Sequence, residues 1–371
     1  MKPDQRITRL AQILVQYSIE VKEKEKVIIH GSTASECLLR EIYQEVLRSG
    51  AHPTLHMDFQ DQQYLFYKFA KDFQIEYTDP FLLYEIENSD AVIALLPFFS
   101  PHDLTSVDPG KKQKYMVARK PIQGTLEKRW GEGSLRWVLS LCPTPALAQE
   151  AHMSFDEYSE FVFSCMNLNA DNPVDFWKDF SANQENICDR LNQAKEFRYI
   201  GLDTDLRFSC EGRQWISYAG KINFPDGEVA TGPREDSVEG TIRFTYPGIF
   251  LGEEIEDIFL RFERGKVVEA RAAKGEGLLL ELLDTDENSR YVGEIAIGTN
   301  ENINRFTKNI LFDEKMGGTV HLAIGAAGDP QSGSKNESAI HWDMLKDMKN
   351  GGEIYADGDL IYKNGSFLDT A

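Results

Sequence analysis

Lys26-Val27-Ile28-Ile29-His30 is a short apolar run of β-forming residues, and Pro53-Thr54-Leu55-His56-Met57 is a second. Between them, residues 34–49 have helical character and stop at Gly50. A strand, a helix and a strand with short joints favour a parallel pair, because the crossover helix carries the chain back to the same edge. The pattern continues outward from this unit. Asp90-Ala91-Val92-Ile93-Ala94-Leu95-Leu96 and Arg136-Trp137-Val138-Leu139-Ser140 read as two more buried strands. Upstream, Ile7, Leu10, Leu14 and Tyr17 recur at helical spacing over 4–18. Residues 1–195 therefore read as an α/β domain, with an open, largely parallel sheet and helices filling the gaps.

The character changes near residue 196, where glycine becomes frequent and short β-type runs dominate. Residues 257–262 and 266–270 flank Glu263-Arg264-Gly265, and Glu353-Ile354-Tyr355 and Leu360-Ile361-Tyr362 flank Asp357-Gly358-Asp359. Both arrangements read as hairpins. Residues 196–371 are expected to form a second, β-rich α+β domain.

Composition narrows the function. The 371 residues are 42% hydrophobic and 27% charged, which excludes wholesale disorder. A formal net charge of −20 repels polyphosphates and anionic bilayers, so neither nucleic acid nor membrane is an expected partner. No apolar stretch approaches the ~20 residues of a membrane span, and the first residues lack a signal peptide's apolar run. The expected location is the cytoplasm. The five cysteines, Cys37, Cys142, Cys165, Cys188 and Cys210, are odd in number with no close pair, which argues against a disulfide framework or a zinc knuckle. His30-Gly31-Ser32-Thr33 lacks the glycines and lysine of a phosphate-binding loop. There is no Gly-x-Ser-x-Gly elbow and no His-Glu-x-x-His.

The informative residues are polar groups in apolar places. Glu294 is the only charge in Tyr291-Val292-Gly293-Glu294-Ile295-Ala296-Ile297-Gly298. Either it pairs with Arg290 or points outward, or it binds a cation, because a buried unpaired carboxylate costs several kcal/mol. His321 lies in the apolar run Thr319–Gly325, as a hydrogen-bonded core residue or as a ligand. In a strand, His341 and Asp343 project from one face and Trp342 from the other. Glu228 follows the Pro225-Asp226-Gly227 turn, and Glu314 follows Leu311-Phe312-Asp313. Read singly, these two are an exposed acidic turn and a solvated helix end. Read together, two of the seven histidines fall within 321–341 beside buried-looking carboxylates. Two imidazoles with carboxylate oxygens suit Zn²⁺, Co²⁺ or Mn²⁺ better than Ca²⁺. Five ligands exceed what one tetrahedral zinc needs, which points to two divalent ions.

At these residues the sequence resembles the thermophilic aminopeptidase family of metallopeptidases, the aminopeptidase T or leucyl aminopeptidase type. The matching stretches, in the family's order, are Asn223–Val229 with Glu235–Gly240, Gly293-Glu294, Leu311–Glu314, Val320–Gly325 and His341-Trp342-Asp343. The first domain matches more loosely, at Gly50-Ala51-His52-Pro53 and Ala118-Arg119-Lys120-Pro121. The resemblance implies a homodimeric two-metal exopeptidase acting on peptides with a free N-terminus. Glu228, Glu294, His321, His341 and Asp343 match its metal ligands, with Glu294 as the bridging carboxylate, and Glu314 matches a further glutamate important for activity, the natural candidate for general base. The first domain is expected to restrict access to the site. One departure stands out: the family usually has a tyrosine seven residues after the first ligand histidine. Here that position is Gly328, or Asp329 if one residue is inserted. The departure motivates two alternatives, a metal-dependent amidohydrolase with another substrate and a non-catalytic binding protein of the same fold.

Overall fold

The computed structural model describes residues 4–96, 99, 103–250 and 252–368. The chain divides into two compact units. The first comprises Met1–Lys178 with Gly220–Phe224, the second Asp179–Ala219 with Pro225–Ala371. The contact division thus falls inside the helix Pro173–Leu191, whereas the sequence division at 195 follows its end.

The first unit is built on a five-stranded parallel sheet. Its order is His52–Asp58, Lys26–Ser32, Ala91–Leu95, Arg136–Ser140, Asn223–Phe224. The first four are the strands expected from the sequence. The fifth comes from far along the chain, where Ser140 Oγ donates to the Phe224 carbonyl at 2.7 Å. The expected helix at 34–49 is seen as Glu36–Arg48, and the N-terminal helix begins at Gln5 with Asp4 as its cap. Among the described residues, no helix is long and apolar enough to cross a membrane.

All five cysteines are free thiols. Cys37 opens a helix, and its sulfur lies 4.0 Å from that of buried Cys142. The Cys142 thiol hydrogen bond, against the opposing effect of burial, lowers the Cys37 thiol to about 6, and the backbone N–H groups of Leu38 and Cys37 assist. Cys37 is therefore expected to be alkylated first by iodoacetamide at pH 7, with its rate falling by half near pH 6. Timed labelling with peptide mapping checks this, and equal labelling of Cys165 or Cys188 would contradict it.

The second unit contains an eight-stranded and a five-stranded sheet, together with a two-stranded ribbon. Both expected hairpins are present, Phe259–Glu263 with Lys266–Arg271 and Glu353–Ala356 with Asp359–Lys363. Each turns on two consecutive residues of positive φ, Arg264-Gly265 and Asp357-Gly358, the geometry that matches strand twist. The five-stranded sheet is antiparallel, ordered His341–Asp347, Thr319–Gly325, Val292–Gly298, Glu228–Thr231, Ile216–Tyr218. One of its faces supplies Val229, Ile295, Ile297, Val320, Leu322, Ile324, Trp342 and Met344 to the core shared with Phe197, Tyr199, Phe208, Ile242 and Leu260. Because side chains alternate, the residues between these must project from the opposite face. That face carries the polar residues singled out by the sequence.

Candidate metal centre

Directly paired residues in an antiparallel sheet project to the same side. Tyr218 pairs with Glu228, Glu228 with Gly298, Ala296 with His321, Glu294 with Ala323, Asp343 with Ala323, and His341 with Gly325. Register alone thus gathers Glu228, Glu294, His321, His341 and Asp343 onto one face. The residues among them are small, Ala230, Ala296, Ala323, Gly298 and Gly325. They leave room above the sheet for the longer polar side chains.

Glu294 reaches this face through a β-bulge. Val292 pairs with Ile324 on the core side, and the pairing slips one residue before Glu294. Without that slip, strict alternation would send Glu294 into the apolar core with Val292. Gly293 makes the bulge possible, because a β-carbon there would lie 2.0 Å from the Ala326 carbonyl oxygen.

Glu228 is held from below. Gln184 donates to its backbone carbonyl at 3.2 Å and to the Thr299 hydroxyl. The Pro225-Asp226-Gly227 turn is buried, with Asp226 wholly inside. The exposed acidic turn weighed from sequence is therefore not what forms. Nor is Leu311–Lys315 a solvated end: Leu311, Phe312, Asp313 and Lys315 are all buried. Asn309 caps this short helix, and Asp313 accepts from the Thr307 N–H at 2.7 Å and its hydroxyl at 2.9 Å. Burial raises the Asp313 carboxyl to about 7.

His321 has a fully buried side chain. Its Nε2 lies 3.3 Å from Glu228 Oε2, 3.5 Å from Glu294 Oε1 and 3.9 Å from Asp343 Oδ1. Among the described residues neither ring nitrogen has an aligned hydrogen bond, and neither do Glu228 Oε2 or Asp343 Oδ1. Four unpaired polar atoms this deep cost roughly 1–3 kcal/mol each unless something binds them. His341 is oriented differently. Its Nδ1–H donates to the Ala326 carbonyl at 2.8 Å, which turns Nε2 toward Asp343 at 3.5 Å. A backbone acceptor on one ring nitrogen is the usual partner of a metal-ligating imidazole.

The donor atoms form two groups, each within 4.8 Å: Glu294 with His341 and Asp343, and Glu314 with His321 and Asp343. Asp343 belongs to both. Burial disfavours charge on His341, but the carboxylates of Asp343 and Glu294 outweigh it and raise the ring to about 10. Burial likewise opposes the charge on Asp343, yet His341, His321 and Lys315 lower it to about 2. His321 is raised in the same contest, burial against Glu294, Glu228 and Asp343. A divalent cation would meet this surplus of carboxylate, and the mixed imidazole and carboxylate set fits one.

Two further residues had no signal in the sequence, and a third, Gly328, had only its departure from the family pattern. Lys315 is fully buried, bridging Glu228 Oε1 at 3.2 Å and Glu314. The Tyr218 hydroxyl, on the site face, donates to Asp329 Oδ2 at 2.9 Å. Burial, together with Asp329, Glu294 and Glu228, keeps that phenol protonated far above its ordinary range. Gly328 passes so close that a β-carbon would lie 1.6 Å from Glu294 Oε2. Nothing in their local sequence set Lys315 or Tyr218 apart from surface residues. Gly328 and Asp329 stood out only as a departure from the family pattern.

The sequence over residues 3–367 matches the family model described as thermophilic metalloprotease, M29. The chain belongs to the M29 metallopeptidase family. As a member it is an enzyme of the peptide-bond hydrolase class, and the family implies a metal cofactor. Aminopeptidase AmpS of Bacillus subtilis (strain 168) is 27% identical over 416 residues, spanning 98% of each chain. Two solved structures share the fold. Wild-type AmpT from Thermus thermophilus is 22% identical with a TM-score of 0.86, covering 98% of this chain and 99% of its own. A 2,5-dihydroxypyridine dioxygenase from Pseudomonas putida KT2440 is 14% identical with a TM-score of 0.59, covering 99% and 97%. The last name shows why fold alone does not decide chemistry.

Proposed function

We propose that this M29 member is an aminopeptidase that removes the N-terminal residue of peptides by means of water activated at a two-metal centre. The observation that carries the reading is His321, buried, with neither ring nitrogen in an aligned hydrogen bond among the described residues and three carboxylates within 3.9 Å of Nε2. Glu228, Glu294, His321, His341 and Asp343 would hold the ions, which are Zn²⁺, Co²⁺ or Mn²⁺ by donor type. The resemblance makes Glu294 the bridging carboxylate. Asp343 is the residue common to both donor groups. Bound divalent ions there would polarise the scissile carbonyl and bring the pKa of water toward neutrality.

The remaining chemistry belongs to side chains. Glu314 takes the proton of the attacking water and returns it to the leaving amine. Lys315 pairs with Glu314 and holds its carboxylate beside His321 and Asp343. The homodimer that the resemblance implies and the cytoplasmic location expected from the sequence are part of this reading.

The test uses protein stripped with a chelator and reloaded with Zn²⁺, Co²⁺ or Mn²⁺. Release of Leu from an unblocked Leu-peptide is expected to vanish on stripping and return on reloading. Turnover of N-acylated substrates alone would move the assignment to an amidohydrolase of different specificity. Absence of turnover with every metal, alongside retained peptide binding, would leave the non-catalytic protein.

A further inference from the structure

An aminopeptidase must recognise a free α-ammonium group, and the structure offers an anion placed to do so. Asp329 is buried, 6% exposed. Among the described residues no basic side chain forms a salt bridge with it. Among the described residues its carboxylate accepts from two neutral donors, the Tyr218 hydroxyl on Oδ2 at 2.9 Å and the Gln331 N–H on Oδ1 at 2.7 Å. A carboxylate in a low-dielectric setting without a cation is a ready acceptor for one.

Its position ties it to the metal centre. The preceding residue, Gly328, lies against Glu294 Oε2, with His341 Cε1 within 3.5 Å of where its β-carbon would stand. Tyr218, which orients Asp329, rises from the same face as the ligands because it pairs with Glu228. Asp329 is in neither of the three-donor groups, and its two carboxylate oxygens accept from Tyr218 and Gln331. A peptide's N-terminal ammonium, presented with the scissile carbonyl over the ligands, would supply a cation to this carboxylate.

We propose that Asp329 receives the substrate's α-ammonium group and that Tyr218 is the positioning residue that aims it. The inference rests on the metallo-aminopeptidase reading above and adds the determinant of its free-N-terminus specificity. A merely structural Asp329 would cap the turn at Pro330–Ser332 and leave amine recognition untouched.

The test compares two probes on metal-loaded protein by calorimetry: leucine hydroxamate and 4-methylpentanohydroxamate, the same molecule without the α-amino group. The natural chain is expected to prefer the amine-bearing probe by about 10–100-fold, the range of a charge-assisted contact. Asp329→Asn is expected to reduce that preference to within about threefold while binding the amine-free probe unchanged. That unchanged binding also reports an intact fold. Tyr218→Phe removes one hydroxyl and is expected to reduce the preference partially, with metal content unaltered, giving a second reading if Asp329→Asn does not fold. Full preference retained in Asp329→Asn, or in Tyr218→Phe should that be the only folded variant, would overturn the proposal. Failure of both probes to bind the metal-loaded natural chain would overturn the metal-centre reading, and this inference with it.

Discussion

Glu294→Gln is expected to lower kcat on an unblocked Leu-peptide by at least ~1,000-fold, because it removes charge where several kcal/mol of electrostatic stabilisation originates. It should also reduce bound metal after dialysis against dilute Zn²⁺. The substitution preserves shape, so the bulge at Gly293 and the pairing with Ala323 should survive. What is lost is one negative oxygen 3.5 Å from His321 and grouped with His341 and Asp343. An amide oxygen is a poor substitute ligand, and its NH₂ group would face other donors. Activity and metal content measured together decide the matter. A variant with full activity and full metal would remove Glu294 from the centre.

Gly328→Ala should separate activity from stability. The added β-carbon meets Glu294 Oε2 at 1.6 Å, and the carboxyl carbon at 2.8 Å. The obstructing atoms are the far end of a flexible side chain, so the fold can yield by swinging the carboxylate away. Thermal stability should change little. The displaced carboxylate no longer addresses the ligand set, and a misplacement of about 1 Å can cost ~100-fold in rate. The expected result is an unaltered melting temperature with kcat/KM reduced by about two decades. A large loss of stability would show that the loop, not Glu294, takes up the strain. Unchanged kinetics would show that the carboxylate works equally well elsewhere.

Much of the architecture was legible because it depends on short-range pattern. Apolar runs separated by a helix specify a parallel unit, and Asp357-Gly358 specifies a hairpin turn whatever lies around it. The candidate ligands were legible for a related reason. A histidine or glutamate in a run of aliphatic residues conflicts with burial, and such conflicts concentrate at functional sites. Lys315 and Tyr218 carried no such signal. A lysine after Asp-Glu and a tyrosine after Ile-Ser look like surface residues, and only folding shows the first wholly buried between two carboxylates. The entry of Asn223–Phe224 into the first sheet was hidden for the same reason, since two residues have too little pattern to choose a partner strand.

By itself the sequence determined that the chain builds an α/β region and a β-rich region, and which polar residues were misfits in apolar strands. Tertiary structure decided where those misfits point. Alternation fixes the side of each residue only relative to its neighbours on the same strand, because the side-chain period is two. The bulge between Val292 and Glu294 turns Glu294 toward the ligands, and the register of five strands drawn from residues 216 to 347 brings the donors together. It is a closing contact between distant segments, Tyr218 on one edge strand and Asp329 in a loop, that adds the last polar group. Such pairings depend on energies summed over the whole core, which no local stretch contains.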